Sequence, residues 1–337
     1  MLLATSTVVA LALAEALLRI LPDPNAANRY RAHAKWHHWL RPNQRASLPS
    51  LDPKRWPKPI ELATNSWGCR YGELEGERKG SRGEGQQHRI LVIGDSFTEG
   101  YYLEDTFAAV LERRTGHQVI GCGNSSYSPL LHYIRYRDQL SKLQPDELII
   151  NVDLTDIYDD NWRYGPEAVF AADGEPLRAS NSRLSILADD LRFRSRLAAL
   201  IVGRFRQDLK LPISLNVYAY HRGMVLDDPQ FKQEVGRTLS YLKRLVDLAK
   251  SQGVSVTITT YPYLNQLRDR VHGDRQWNRN LEVALAFFAG REGVPFWSAF
   301  KALEPHADSI YWEFDVHFTP SGQLIWAEAF ADYYLSR

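Results

Sequence analysis

The stretch "ILVIGDSFTEG", residues 90–100, sets the architecture. Ile90, Leu91, Val92 and Ile93 form a short apolar run that stops at Gly94-Asp95-Ser96, and Gly100 closes the turn after it. An apolar run of this length bounded by turn residues reads as a strand buried on both faces of a parallel sheet. A turn asks for Gly, Asn or Asp; it does not need a serine. In open parallel sheets ligands bind beyond the carboxyl ends of the strands, so the Ser96 hydroxyl stands where chemistry is expected.

Outward from this stretch, strands and helices alternate. Strands are read at 88–94, "HQVIG" (117–121), "DELIINV" (146–152), "VSVTITTYP" (254–262) and "VPFW" (294–297). Helices are read at 106–115, 130–143, 276–291 and about 321–334, with a long one opened by Asp228-Pro229 and closed by Gly253. Residues 158–227 interrupt the pattern as an insertion. Five short strands alternating with helices argue for an α/β protein: a five-stranded parallel sheet covered on both faces, occupying residues 88–337.

The chain has 337 residues, 44% hydrophobic and 24% charged, enough for one large α/β unit with insertions. A formal net charge of +1 offers nothing to steer nucleic acid or another polyanion. Cys69 and Cys122 are the two cysteines; with no C-x-x-C, thiolate zinc sites and thioredoxin-type chemistry are excluded. The pair forms a disulfide in an oxidising compartment or stays as two buried thiols. His33, His37 and His38 lie close together, but no acidic ligand comes after them nearby, so they read as packing rather than as a metal site.

The first 22 residues, "MLLATSTVVALALAEALLRILP", are mostly apolar and read as an N-terminal membrane anchor or signal, the alternative being an ordinary buried helix. The anchor reaches spanning length only if it tolerates Glu15, and a signal would carry a positive leading region that is missing here. Residues 23–87 form an irregular lead-in rich in Pro and polar residues, ending in the charged, Gly-rich 72–87. Residues 183–210 are amphipathic, with Arg192, Arg194, Arg196, Arg204 and Arg206 on a basic face, read as helix packed on the sheet.

A serine hydroxyl is a poor nucleophile until a base takes its proton. Near the far end, "YWEFDVHFTPSGQ" (311–323) holds Asp315 and His317 two residues apart. In an extended loop such residues point to one side. One loop then aims His317 at Ser96 while Asp315 accepts from the other ring nitrogen.

This pairing of "GDSFTEG" (94–100) with a D-x-H-F-T-x-x-G end resembles the SGNH, or GDSL, hydrolase family, and more closely its bacterial membrane-anchored branch, through "EALLR" (15–19) and "NSWGCR" (65–70). No G-x-S-x-G elbow is present. The resemblance implies a flavodoxin-like three-layer sandwich with Ser96 as nucleophile, His317 as base and Asp315 as its partner. It also implies an oxyanion hole from the Ser96 N–H, the Gly123 N–H and a side chain after the third strand. In that last place the family has asparagine and this chain has Thr155, next to Asp156; Gly121 and Ser126 also stand where Asn and Gly are usual. Asn151 and Asn161 are candidates for a substitute donor, and Asp95 and Asp156 are expected to order their loops.

Tyr158, Trp162 and Tyr164 in the insertion, with Tyr261 after the fourth strand, are expected to rim a substrate cleft. The expected activity is ester hydrolysis through an acyl-serine on acyl or acetyl esters of a cell-envelope glycan or lipid. O-acyl transfer to a polysaccharide and a degenerate glycan-binding module are the alternatives. No cofactor or metal is expected. The expected location is membrane-anchored through the N-terminal helix, facing the periplasm or another extracytoplasmic space.

Overall fold

The computed structural model describes residues 2–21, 28–72, 88–207, 229–268, 279–313 and 315–337. Its centre is a five-stranded parallel sheet of β1 (Arg89–Ile93), β2 (Gln118–Gly121), β3 (Glu147–Val152), β4 (Ser255–Thr260) and β5 (Phe296–Ser298), in the order β5-β4-β3-β1-β2. All six residues of β3 are buried, and β1 is buried after its first residue, as expected of strands covered on both faces. The order reverses between β1 and β3. That reversal opens a crevice at their carboxyl ends, where Ser96 and Thr155 come after the two strands.

The N-terminal segment forms α1 (Leu2–Leu18). The sheet is packed by α3 (Phe107–Thr115), α4 (Pro129–Asp138), α8 (Pro229–Ser251), α9 (Asn280–Glu292) and α10 (Pro320–Leu335), while α2 (Ser96–Glu99) and α5 (Thr155–Tyr158) are single turns leaving β1 and β3. Thr106 caps α3 through its hydroxyl to the Ala109 N–H, and Gly116 and Gly253 end helices in left-handed conformations. The helix expected over 130–143 tightens into a 3₁₀ turn at Leu140–Leu143. The amphipathic stretch from 183 is two helices, α6 (Arg183–Arg194) and α7 (Arg196–Gln207), broken at Ser195. Its basic face is not wholly solvated: Arg192 is buried against Asp189, 2.9 Å away.

Two expectations are corrected. The lead-in is not irregular: Tyr30–Ala32 pairs with His38–Leu40, and Arg45–Leu48 with Ile60–Ala63, as two antiparallel hairpins. Residues 73–87, where the Gly-rich loop was read, and 208–228 in the insertion lie outside the described residues. The spanning anchor is the second: among the described residues no helix is long and apolar enough to cross a membrane. The 17 residues of α1 rise only about 25 Å, short of the roughly 30 Å hydrocarbon core. Glu15, the acid that interrupts its apolar run, caps α7 by accepting the N–H groups of Arg196 and Leu197, both at 3.1 Å, and the Ser195 hydroxyl at 2.8 Å. Those backbone bonds draw Glu15 down to about 2.

Candidate active site

β1 delivers its last residue to the crevice, and Gly94 turns the chain. A Cβ at Gly94 would lie 2.1 Å from the Thr98 hydroxyl oxygen and 2.9 Å from the Asn151 Cβ, so no larger residue fits. Asp95 caps the single turn of α2, its Oδ1 accepting from the Phe97 N–H at 2.9 Å. Ser96 is its first residue and is 6% exposed.

The histidine arrives from the other end of the chain. Phe318 is fully buried and packs on Phe97, 4.8 Å between ring centres. Thr319 caps α10, and the Trp312 N–H donates to the His317 carbonyl at 3.1 Å. This loop sets His317 Nε2 at 2.7 Å from the Ser96 Oγ. Asp315 Oδ1 faces His317 Nδ1 and accepts the His317 backbone N–H at 2.9 Å. Burial pushes the Asp315 carboxyl up, but these bonds from His317 outweigh it and hold it below the usual carboxylate range. An ionised carboxylate only accepts, so Nδ1 carries the ring hydrogen and Nε2 presents its lone pair to Ser96.

Gly123 packs on α2, and a Cβ there would come within 2.2 Å of the Glu99 nitrogen. Cys122 and Asn124 donate their N–H groups to Val92 and Gly94, whereas the N–H groups of Gly123 and Ser96 have no acceptor among the described residues. Thr155 does not join them. Its hydroxyl and its N–H both donate to Asp153 Oδ1 at 2.7 Å. Its one hydrogen is spent, which corrects the expectation of a third oxyanion donor there. Asn151 and Asn161 are committed too: the first donates to Thr98 at 2.9 Å, the second to the carbonyls of Ile157 at 2.7 Å and Glu234 at 3.1 Å. Asp156 is buried, accepting the Asp153 N–H at 3.3 Å, and burial pushes its carboxyl well above the usual range.

The aromatic rim is also corrected in part. Tyr164 is fully buried and donates to the Ser126 carbonyl at 2.8 Å. The π-helical turn Asp159–Arg163 adds a residue to the turn and rolls Tyr164 inward. Tyr261 is 1% exposed; its hydroxyl lies between Asp95 and Asp153 beneath the nucleophile. Trp162 stays on the surface at 54% exposure, its indole N–H donating to Glu234 at 3.1 Å, and Tyr158 is half-buried. His33 stacks on Trp36 and His38 bonds to the Ser125 carbonyl oxygen.

Several site residues escaped the sequence reading. Tyr101 stacks on the His317 ring, 4.5 Å between centres and 23° apart, and the Arg29 guanidinium sits 3.9 Å over the centre of Tyr101. Arg29 pairs with buried Glu99 at 3.4 Å. Arg70 donates to the carbonyls of Glu99, Gly100 and Leu103, closing the far end of α2. Cys69 and Cys122 form a disulfide that ties the lead-in to the strand end before Gly123. Gly100, with φ at +72°, is the one local signal that the chain must bend sharply toward Tyr101.

A serine, a histidine and a carboxylate in line at the switch point of a doubly wound sheet define a serine-hydrolase type of site. The match to known families names that type: residues 92–325 fit the GDSL-like lipase/acylhydrolase family, and the chain belongs to it, as an enzyme of the SGNH-hydrolase type. No curated protein sequence matches the chain. Among solved structures, similar folds include a lipolytic protein of the G-D-S-L family from Desulfitobacterium hafniense, 14% identical, covering 72% of this chain and 98% of that one, TM-score 0.43. An acetylxylan esterase from Geobacillus stearothermophilus is 14% identical over 75% of this chain and 95% of that one, TM-score 0.44. A GDSL-like lipase from Bacteroides thetaiotaomicron is 15% identical over 74% and 88%, TM-score 0.41.

Proposed function

We propose that the enzyme cleaves an acyl ester through an acyl-Ser96 intermediate. The observation that carries this is the 2.7 Å separation of the Ser96 Oγ and His317 Nε2, with Asp315 behind the ring. His317 takes the serine proton as the oxygen attacks the ester carbonyl, and returns it to the departing alcohol. Asp315 holds the tautomer and stabilises the imidazolium. The N–H groups of Ser96 and Gly123 receive the developing oxyanion. With Thr155 turned to Asp153, these two backbone donors do the work that relatives share with an asparagine; one donor is worth about 10²–10³ in turnover, roughly 2.7–4 kcal/mol. Water as acceptor makes the enzyme an esterase, and a glycan hydroxyl makes it an O-acyltransferase.

The substrate class we propose is an acyl or acetyl ester on a cell-envelope glycan or lipid. Exposed Trp162, held in place by Glu234, supports a flat apolar platform suited to a sugar ring or an acyl chain. The Cys69–Cys122 disulfide supports an oxidising, extracytoplasmic location. The exposed apolar residues of α1, among them Val8, Leu13 and Leu17, support an apolar surrounding for that helix. A fluorophosphonate probe is expected to label the wild type and not Ser96→Ala, and p-nitrophenyl acetate turnover is to be compared with and without a sugar acceptor. An intact, folded wild type that resists the probe sinks this reading.

A further inference from the structure

The Ser96 oxygen touches two partners and has one hydrogen to offer. His317 Nε2 lies 2.7 Å away and Asp95 Oδ2 3.1 Å away. Because Nδ1 carries the ring hydrogen toward Asp315, Nε2 can only accept, and Ser96 must donate to it. The contact between Ser96 and Asp95 then holds a hydrogen only if Asp95 brings one. The same shortage recurs a layer deeper. The Tyr261 hydroxyl oxygen, with one hydrogen to give, lies between Asp95 Oδ1 and Asp153 Oδ2, 2.8 Å from the latter.

We propose that Asp95 is a carboxylic acid in the working enzyme and donates a hydrogen bond to the Ser96 oxygen, with Asp153 as the carboxylate that keeps the proton there. This rests on the acyl-serine reading above. The donors are unequally divided between the two acids. Asp153 Oδ1 collects the N–H and hydroxyl of Thr155, each at 2.7 Å, and the Asp156 N–H at 3.3 Å; Oδ2 accepts from Tyr263 at 3.0 Å. Asp95 has the Phe97 N–H at 2.9 Å and a share of Tyr261. Negative charge therefore belongs on Asp153. The ionisable groups facing Asp95 are Asp153 and Asp156 after β3, Tyr261 and Tyr263 after β4, and His317 across Ser96. Burial first, and the Asp153 charge second, push the Asp95 carboxyl well above the usual range.

The consequence is chemical. With Asp95 neutral, the serine hydrogen has one destination, His317, instead of being drawn to a carboxylate on the other side. When the acyl-serine is hydrolysed, the departing serine oxygen keeps the Asp95 hydrogen bond while His317 returns its proton. Asp95 holds its own proton throughout.

The test combines infrared spectroscopy with pH–rate profiles for p-nitrophenyl acetate. Carboxylic-acid C=O absorbance is expected in the wild type at neutral pH, where Asp156, Asp159 and Asp160 also contribute, and the wild-type-minus-Asp95→Asn difference spectrum is expected to isolate a band that belongs to Asp95. Wild-type kcat/KM is expected to fall as pH rises through the Asp95 titration, and Asp95→Asn, which cannot ionise, is expected to lose that fall. Asp153→Asn removes the neighbouring charge, so band and fall should both move to lower pH, by about one unit or more; this variant decides the matter if Asp95→Asn does not fold. The proposal is overturned if the wild type takes the fluorophosphonate at Ser96 but Asp95→Asn leaves the carboxylic-acid absorbance unchanged. It is equally overturned if Asp95→Asn loses more than about 100-fold in turnover yet keeps the alkaline fall. A band that Asp95→Asn abolishes, in a protein whose Ser96 resists the probe, upholds the protonated Asp95 and removes the acyl-serine reading instead.

Discussion

Replacing Asp315 with asparagine separates two tasks that one carboxylate performs for His317. The same Oδ1 faces the ring Nδ1 and accepts the backbone N–H at 2.9 Å. An amide oxygen in its place accepts both, so ring tautomer and orientation survive and only the charge is lost. Unit charges about 4 Å apart at an effective dielectric of about 20 attract by about 4 kcal/mol. The Asp315 side chain is 31% exposed, so water screens part of this. Taking about half leaves about 2 kcal/mol for the imidazolium, on the order of 30-fold in kcat. Asp315→Ala also removes the acceptor that fixes the tautomer; holding the wrong tautomer costs a triad about 10⁴, and a loss of that order is expected here. Steady-state turnover of p-nitrophenyl acetate by both variants at mildly alkaline pH measures the gap. Equal losses would refute the orientation argument, and near-wild-type rates for both would remove Asp315 from the site. Because the Asp315 carboxyl is held below its usual range, its contribution is complete above that range and is lost only as the pH falls through the lowered value.

Three further outcomes are expected. Tyr101→Ala removes the ring stacked on His317 and should lower kcat by about 3–10-fold with little change in KM, Tyr101→Phe falling less. Reducing the Cys69–Cys122 bridge, whose partners are 53 residues apart, should cost about 4 kcal/mol of stability on a chain-entropy estimate, read from denaturant midpoints with and without reductant. Burial pushes Asp160 up to about 8 and Asp159 up to about 7. The folded chain thus holds protons that the unfolded chain has lost, so stability should decline from about pH 4 to about pH 8. Asp160→Asn should flatten that slope by up to about 1.4 kcal/mol per pH unit, measured by denaturation at several pH values.

What the sequence could tell depended on locality. The strand before Ser96 and the D-x-H loop were legible because each is a short contiguous signal, an apolar run into a turn and two like-facing side chains. The polar layer under the nucleophile was not, because it is made by register. Thr260 lies opposite Val152 in the β4–β3 ladder, so the next residues, Tyr261 and Asp153, come together beyond it. No local pattern marks that meeting. Tyr164 was placed on the cleft rim by its neighbours in sequence, but a π turn reversed its facing. The lead-in hairpins have strands of three or four residues, too short to show a period of two. Thr155 sits at the expected position; which way its hydroxyl turns is decided by Asp153, two residues earlier.

The region shared with the family begins at residue 92, after Arg29, Cys69 and Arg70. The cation behind Tyr101 and the clamp on α2 therefore come from the portion of the chain upstream of that region. A chimaera that exchanged residues 28–72 with those of a relative would leave every triad letter untouched and still change the setting of the histidine.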